Sequence, residues 1–495
     1  MNWIEIKNLQ AVSLKEIPRL AYKDLGEQLL SSVKAGRRLV QYFGDKDSSG
    51  ITLYAITADD NLSKLYIAST KFSSEKTFTS FANEIPSAHL FEREIFEECG
   101  IKPEGHPWLK PVRKGIAGIN SQELPYNFFK MEGDDVHEVG VGPIHAGIIE
   151  PGHFRFSCHG EEVHHLEIEL GFQHRGAEQL FLQNKNRPVY LVKLAESIAG
   201  DTVIGHTLAF VHALESLAGI NVSRKVKLIR ALALELERIA IHLGDLSALA
   251  GDVAYLTGNS VFAALRTKII NTTMAICGNR LGRGLLTIGR VHFDIPQELQ
   301  NKILSTINRL DEEVSVATEV MFSSASVLER FEKTGIVTEE MAREIGMVGP
   351  AARASGVALD VRSDHPSGAY EFFPVHKLTL KTGDVFARAY IRFIEIQQSI
   401  RIITEQLNNF SEGELRKNIS QLQPGKLIVS LTEGWRGEIA HIVITDDEGK
   451  IKKVKIKDPS FNNWLALALA VRGNGISDFP LCNKSFNLSY CGFDL

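Results

Sequence analysis

The sequence predicts an α+β chain in two parts: a small N-terminal α+β unit, then a mainly helical domain with small flanking β-sheets. Three observations predict it. Residues 51–58 alternate, turn at Asp59-Asp60-Asn61 and alternate again over 64–71, the pattern of a hairpin. Five stretches between residues 188 and 407 carry apolar residues at helical spacing. After Gly425 alternation returns, over 440–445 and 452–457, about an Asp446-Asp-Glu-Gly turn.

In chain order, residues 1–110 make the first unit, in which Ser87 to Glu98 reads as a helix ended by Gly100. Residues 111–140 read as a linker, with Gly115, Gly118, Pro125 and Gly133 and weak periodicity. The second domain, 141–495, opens with strands at 154–158 and 163–170 around a Gly160-Glu161 turn. Helices follow at 188–217, 223–250, 260–277, 296–331 and 383–407. Leu228, Leu232, Leu236, Ile239 and Leu243 form one apolar stripe. A last helix, 463–471, precedes an extended tail.

Composition narrows the functions. With 495 residues, 44% of them hydrophobic, the chain builds its core without staples. Its 55 Lys+Arg and 60 Asp+Glu give a formal charge of −5, so nucleic acid is excluded as a main partner. The five cysteines, Cys99, Cys158, Cys277, Cys482 and Cys491, form no CxxC. They suit a reducing cytoplasm and ligate no cubane cluster, and Cys482 and Cys491 read as ordinary buried or tail thiols. A basic region followed by an apolar one is missing at the N-terminus, so no secretory signal is expected. The most apolar stretch, Ile198 to Ile220, contains Asp201, His206, His212 and Glu215, and reads as a core helix rather than a membrane span. There is no GxGxxG dinucleotide motif.

Several motifs carry more. Phe91-Glu-Arg-Glu94, Gly100-Ile101 and Gly105-His106-Pro107-Trp-Leu109 are by themselves a charged helix end, a glycine cap and a turn. In this order they resemble the signature of the small hydrophilic subunit of respiratory complex I, with Glu97 where that family usually has Asp. Further on come Gly142-Pro143-Ile-His145, Glu150-Pro-Gly-His153-Phe-Arg155 and Gly171-Phe-Gln-His174-Arg175-Gly176-Ala-Glu178. Glu235-Leu-Glu-Arg238 with His242, Gly278-Asn-Arg280 with Arg283, and Gly349-Pro-Ala-Ala-Arg353 with Asp360 and Arg362 follow. Gly383-Asp384 with Arg388 and Arg392, Trp435-Arg436-Gly437-Glu438 and Asp458-Pro459-Ser460-Phe461 complete the series. Together these resemble the [NiFe]-hydrogenase and complex I large (49 kDa-type) subunit superfamily, in particular the hydrogenase-4 and formate hydrogenlyase large subunits in fused form.

The resemblance implies a site. Hydrogenases of this superfamily hold nickel and iron with two CxxC pairs, because the centre needs soft thiolates. The corresponding positions here are Ala199, Thr202, Ser460 and Asn463, which implies that this chain holds no metal and does not itself turn over dihydrogen. In complex I the emptied pocket takes a quinone head group, between a histidine and a tyrosine. The histidine role falls on His145 or His153; the tyrosine position is Gly200, which has no hydroxyl, and Asp201 or Thr202 stand as replacement donors. His242 falls where complex I places a histidine beside the terminal iron–sulfur cluster of a partner subunit, and such an imidazole couples proton to electron uptake. Glu178 falls where hydrogenases relay protons; its alternative is a salt bridge with Arg175 or another arginine. Arg353, Asp360, Arg362 and Arg436 read as an internal ion network, since buried charges must be paired.

The implied function is a subunit of a membrane-associated, energy-converting oxidoreductase complex. It would pass electrons from a partner iron–sulfur subunit toward a quinone-type acceptor and couple this to ion translocation. NADH, if it is the donor, would be oxidised in another subunit. The chain would dock on integral membrane subunits as a peripheral protein on the cytoplasmic side. The alternative is a non-catalytic scaffold or coupling subunit of a hydrogenase-related complex.

Overall fold

The computed structural model describes residues 2–113, 126–133, 135–147, 149–417 and 421–495. Gly115, Gly118 and Pro125 of the expected linker lie outside the described residues.

The hairpin read near the N-terminus is formed by Gly50–Asp59 and Lys64–Phe72, with Ile56 opposite Ile67. Arg38–Asp47 and Ile4–Ile6 extend it to four antiparallel strands. Alternate side chains leave opposite faces of the sheet. One face, with Leu53 and Ala55, packs on Leu25 and Leu29 of the helix Tyr22–Lys34 and on Phe91 and Ile95 of the helix His89–Cys99. The second of these is the helix expected at 87–98, preceded by a tight turn at Pro86–Ala88. It ends at Gly100, whose φ of 79° is open to glycine without strain.

The other face of the same sheet, with Val40, Phe43, Ile56 and Ile67, packs on Leu427, Val429, Leu431, Ala440 and Ile442. These belong to a second sheet, Lys426–Gly434, Gly437–Thr445 and Ile451–Lys457, the last two being the hairpin read after Gly425. Its far edge is Val12–Ser13, paired with Lys426 and Leu427. The start of the chain and its last quarter therefore share one sheet. A third sheet joins the expected strands His153–His159 and Glu162–Glu169 to Val136–Val141, a strand inside the stretch read as linker.

The helices pack around Arg224–Asp252, whose N-cap Ser223 accepts from the Val226 amide at 3.3 Å. Leu256–Cys277 and Val385–Asn408 flank it, and Gln297–Ser323 packs outside these two. The leucine stripe is buried as expected, but so are Glu235, Arg238, His242 and Asp245 on the other sides of the helix. It is the buried axis of the domain rather than an amphipathic wall.

Three expectations are corrected. The stretch 188–217 is two helices, Pro188–Ala195 and Val203–Leu217. The stretch 296–331 breaks at Ser324, between Gln297–Ser323 and Ala325–Phe331. The tail is not extended: after Pro459–Ala470 come the short helices Phe479–Phe486 and Tyr490–Asp494, anchored by buried Phe479, Leu481, Phe486 and Phe493. The two tail helices, of 8 and 5 residues, show too few turns for periodicity to reveal, and helical spacing runs across the other two breaks. Among the described residues no helix is long and apolar enough to cross a membrane.

Candidate functional site

The break between the two helices at 196–202 is where the site forms. A chain leaving one helix and entering another exposes carbonyls and amides that need partners. Distant side chains supply them. Arg175 donates to the carbonyls of Ser197 at 2.7 Å and Ile198 at 2.9 Å. Trp435 Nε1 donates to the Asp201 carbonyl at 3.0 Å. Glu237 accepts the amides of Ile204 at 2.7 Å and Gly205 at 3.1 Å, at the first turn of Val203–Leu217.

The turn Trp435–Gly437 closes the site from the second sheet. Arg436 forms a bidentate pair with Asp201, at 2.6 and 2.7 Å, and donates to Thr202 Oγ1 at 3.1 Å. It also donates to the Asn487 carbonyl at 2.5 Å and stacks its guanidinium 3.9 Å over Trp435. Arg436, expected in the internal network, thus belongs to the site instead. Burial opposes its charge, but Asp201 holds its pKa above the ordinary arginine value.

Ala199, Thr202, Ser460 and Asn463, the positions that the resemblance sets against the hydrogenase cysteines, are all buried, and three spend their polar groups internally. Thr202 donates to Asp201 Oδ1 at 3.2 Å and accepts from Arg436. Ser460 Oγ accepts the Ser489 amide at 2.8 Å. Asn463 accepts from the Val348 amide at 3.1 Å and donates to the Val348 carbonyl at 3.0 Å. Ala199 offers a methyl. This donor set does not fit a nickel–iron centre. Among the described residues no cluster of three or more His, Cys, Asp or Glu is arranged to hold a metal ion.

Beside the break the site is open. A Cβ added at Gly200 would meet nothing within 4 Å. Asp201 keeps 38% of its side chain exposed. Cys491, read from sequence as a tail thiol, lies half-buried here, with Ser489 Oγ at 3.5 Å and the Gly200 backbone, Glu150 and Asp201 around it. Burial raises its thiol pKa. No local signal marks Cys491; only the folding of the tail brings it to the helix break.

Gly152 forms a neighbouring wall, its backbone against the Tyr490 ring. His145 donates from Nε2 to the Gly152 carbonyl at 2.7 Å, and His153 from Nδ1 to the Gly142 carbonyl at 3.1 Å. Each histidine thus spends one ring nitrogen on a backbone carbonyl.

The other expected residues lie elsewhere. Glu178 accepts the Ile456 amide at 2.8 Å and pairs with Lys455 at 3.3 Å, rather than with an arginine. Burial raises its pKa, against the pull of Lys455 and with the help of Glu98 and Glu94. It lines a separate cavity of about 690 Å³, with Glu98, Arg113, His174 and Lys453. His242 is fully buried and donates from Nε2 to Glu395 at 3.0 Å. It belongs to an ion network in which Arg353 bridges Glu395 at 2.7 Å and Glu433 at 2.8 Å, and Arg362 bridges Glu235 at 3.1 Å and Asp360 at 2.7 Å.

A broken helix thus faces an arginine turn, with a folded tail beside it and a small α+β unit packed on the second sheet. Comparison with known proteins says which class of protein carries this arrangement. Residues 15–114 match the 30 kDa subunit of respiratory-chain NADH dehydrogenase, and residues 252–426 and 419–494 match its 49 kDa subunit. The C/D subunit of the NADH-quinone oxidoreductase of Bacteroides thetaiotaomicron is 30% identical over 400 residues, covering 72% of this chain and 74% of that protein. Formate hydrogenlyase subunit 5 of Escherichia coli is 28% identical over 435 residues, covering 83% of this chain and 76% of that protein. A chain of the membrane-bound sulfane sulfur reductase, an archaeal respiratory membrane complex, superposes with a TM-score of 0.67 at 26% identity, over 73% of this chain and 99% of that one. The chain belongs to the family of fused complex I 30 kDa and 49 kDa subunits, alongside the hydrogenase-4 and formate hydrogenlyase subunits.

Proposed function

We propose that this chain works in a membrane-associated, energy-converting oxidoreductase complex, passing electrons from a partner iron–sulfur subunit to a quinone-type acceptor seated beside Gly200. Coupling of this step to ion translocation, docking on integral membrane subunits and a peripheral place on the cytoplasmic side belong to the same proposal. One observation carries it: the positions that would hold nickel spend their polar groups on the protein, while the space next to Gly200 stays open. An acceptor with carbonyl oxygens would reach the exposed turn at Gly200, with Asp201 and the free ring nitrogens of His145 and His153 as its proposed polar partners. His242, inside the network at Glu395, is proposed to lie behind the face that meets the partner's cluster. Glu178, whose pKa burial raises, is proposed to hold a proton at the outer cavity.

The scaffold reading keeps one specific support: no tyrosine stands at position 200, and Asp201 and Thr202 are already occupied by Arg436. A single substitution separates the two readings. Gly200→Phe places a ring in the open space beside this turn. In the complex purified in mild detergent, a seated acceptor requires that Gly200→Phe lower oxidation of a reduced donor by a short-chain quinone at least tenfold. Unchanged quinone turnover in an intact Gly200→Phe complex favours the scaffold.

A further inference from the structure

The helix Val203–Leu217 lies across Lys426–Gly434 and Gly437–Thr445, and a line of polar side chains runs through this otherwise apolar contact. Asp458 Oδ2 accepts from His206 Nε2 at 3.0 Å, and His206 Nδ1 meets His441 Nε2 at 3.1 Å. All three side chains are fully buried. Asp458 also accepts the Ser460 amide at 2.8 Å and lies against Gly492, so one end of the line is at the site.

The other end does not stop at His441. Its Nδ1 is buried without a protein partner, and so are Ser430 Oγ, Thr432 Oγ1 and His212 Nδ1. Ser430 stands opposite His441 in the strand register, which puts their side chains on one face, about 5 Å apart at Cβ. Thr432 follows two residues on, on that same face. Thr432 and His212 then line a small cavity that half-buried Lys227 and Gly368 also line. Four polar atoms left unpaired along one seam are too costly for a dry interior, and each calls for an internal water.

We infer that this seam is a hydrated proton path, leading from the cavity at His212 through Thr432, Ser430, His441 and His206 to Asp458. A proton taken from water at His441 Nδ1 releases the one on Nε2 to His206 Nδ1. His206 in turn releases its Nε2 proton to Asp458 Oδ2, so each imidazole gains one proton and loses one, Asp458 is left protonated until it releases that proton at the site, and both rings turn over before the next transfer. Burial holds His441 neutral, the form in which one ring nitrogen donates and the other accepts. Burial opposes ionisation of Asp458, but the hydrogen bond from His206 holds its pKa below the ordinary value, so it rests as a carboxylate that accepts from His206 and gives up a transferred proton readily.

This path rests on the reading that proton-coupled chemistry takes place at the site, and its test has two parts. The first needs no turnover. A structure of the purified complex at a resolution that shows water should place ordered waters between His441 Nδ1, Ser430, Thr432 and His212. A dry seam overturns the path. The second uses Thr432→Val, which keeps the shape and removes the hydroxyl. Donor oxidation by a short-chain quinone should slow about tenfold, with a larger solvent deuterium isotope effect, and Thr432→Ser should restore both. A wild-type rate and isotope effect in Thr432→Val overturn the path. If the complex lacks quinone turnover altogether, the acceptor reading fails, and the waters alone decide the path.

Discussion

Glu97 shows how one residue ties two segments together. It lies on the helix His89–Cys99, is almost fully buried, and accepts the Val112 amide at 2.6 Å and the Arg113 amide at 3.3 Å. Burial pushes its carboxyl up to about 7, and burial does the same to Glu92 earlier on the same helix, also to about 7. In the unfolded chain both titrate near 4.5. Between about pH 4.5 and 7 the folded protein keeps protons that the unfolded chain has lost. Stability therefore falls as pH rises through that window and levels off above it. For Glu97 the fall is about 3 kcal/mol at most. Glu97→Gln should flatten the slope of unfolding free energy against pH between 5 and 7; an unchanged slope would mean that Glu97 is ionised in the fold. The sequence marks Glu97 as a departure from Asp, but its burial and its amide partners come only with the path of residues 110–113.

At the scale of elements, what the sequence shows depends on the distance from which each element is held. The hairpins at 50–72 and 437–457 and the helix capped by Ser223 are written locally, in alternation, turn residues and caps, and they are found as read. The break at 196–202 is not, since helical spacing runs straight across it. Its backbone partners are Arg175, Glu237 and Trp435, two of them more than thirty residues from the groups they satisfy. The strand Val136–Val141 escaped for a similar reason: its exposed side chains carry little alternation, and it exists through its pairing with His153–His159. The tail helices likewise depend on acceptor roles far away, Asn487 for Arg436 and Phe493 for Arg113. Arg175→Ala leaves the carbonyls of Ser197 and Ile198 without their donor and should lower stability by about 1–2 kcal/mol in chemical denaturation. Arg343→Ala, which removes an exposed pair with Glu339, should change it by less than about 0.5 kcal/mol. Equal effects from the two would show that the helix break is not held by Arg175.

Across the whole molecule, the two units read from sequence fold as one body. Val12–Ser13 lies in the sheet of the second unit, and the two sheets share an apolar interface. Arg38 on the first sheet pairs with Asp60 at 2.8 Å and with Glu438 at 2.5 Å across that interface. Lys455 reaches back to Glu94 at 2.8 Å and Glu98 at 2.6 Å on the first unit's helix. The motif order along the chain made the family legible. The sequence could not show that Cys491 and Asn487 return to the helix break, or that His242 sits inside the ion network. The site is thereby assembled from the helix break, the arginine turn and the tail, and the four positions that the resemblance sets against the hydrogenase thiolates carry Ala199, Thr202, Ser460 and Asn463 instead.

The direct test of that claim is metal and acceptor analysis of the purified complex that contains this chain. Iron should be present through the partner subunit, nickel should be absent, and titration with a short-chain quinone should oxidise a reduced donor. Stoichiometric nickel, or an intact complex that leaves quinone unreduced, would contradict it.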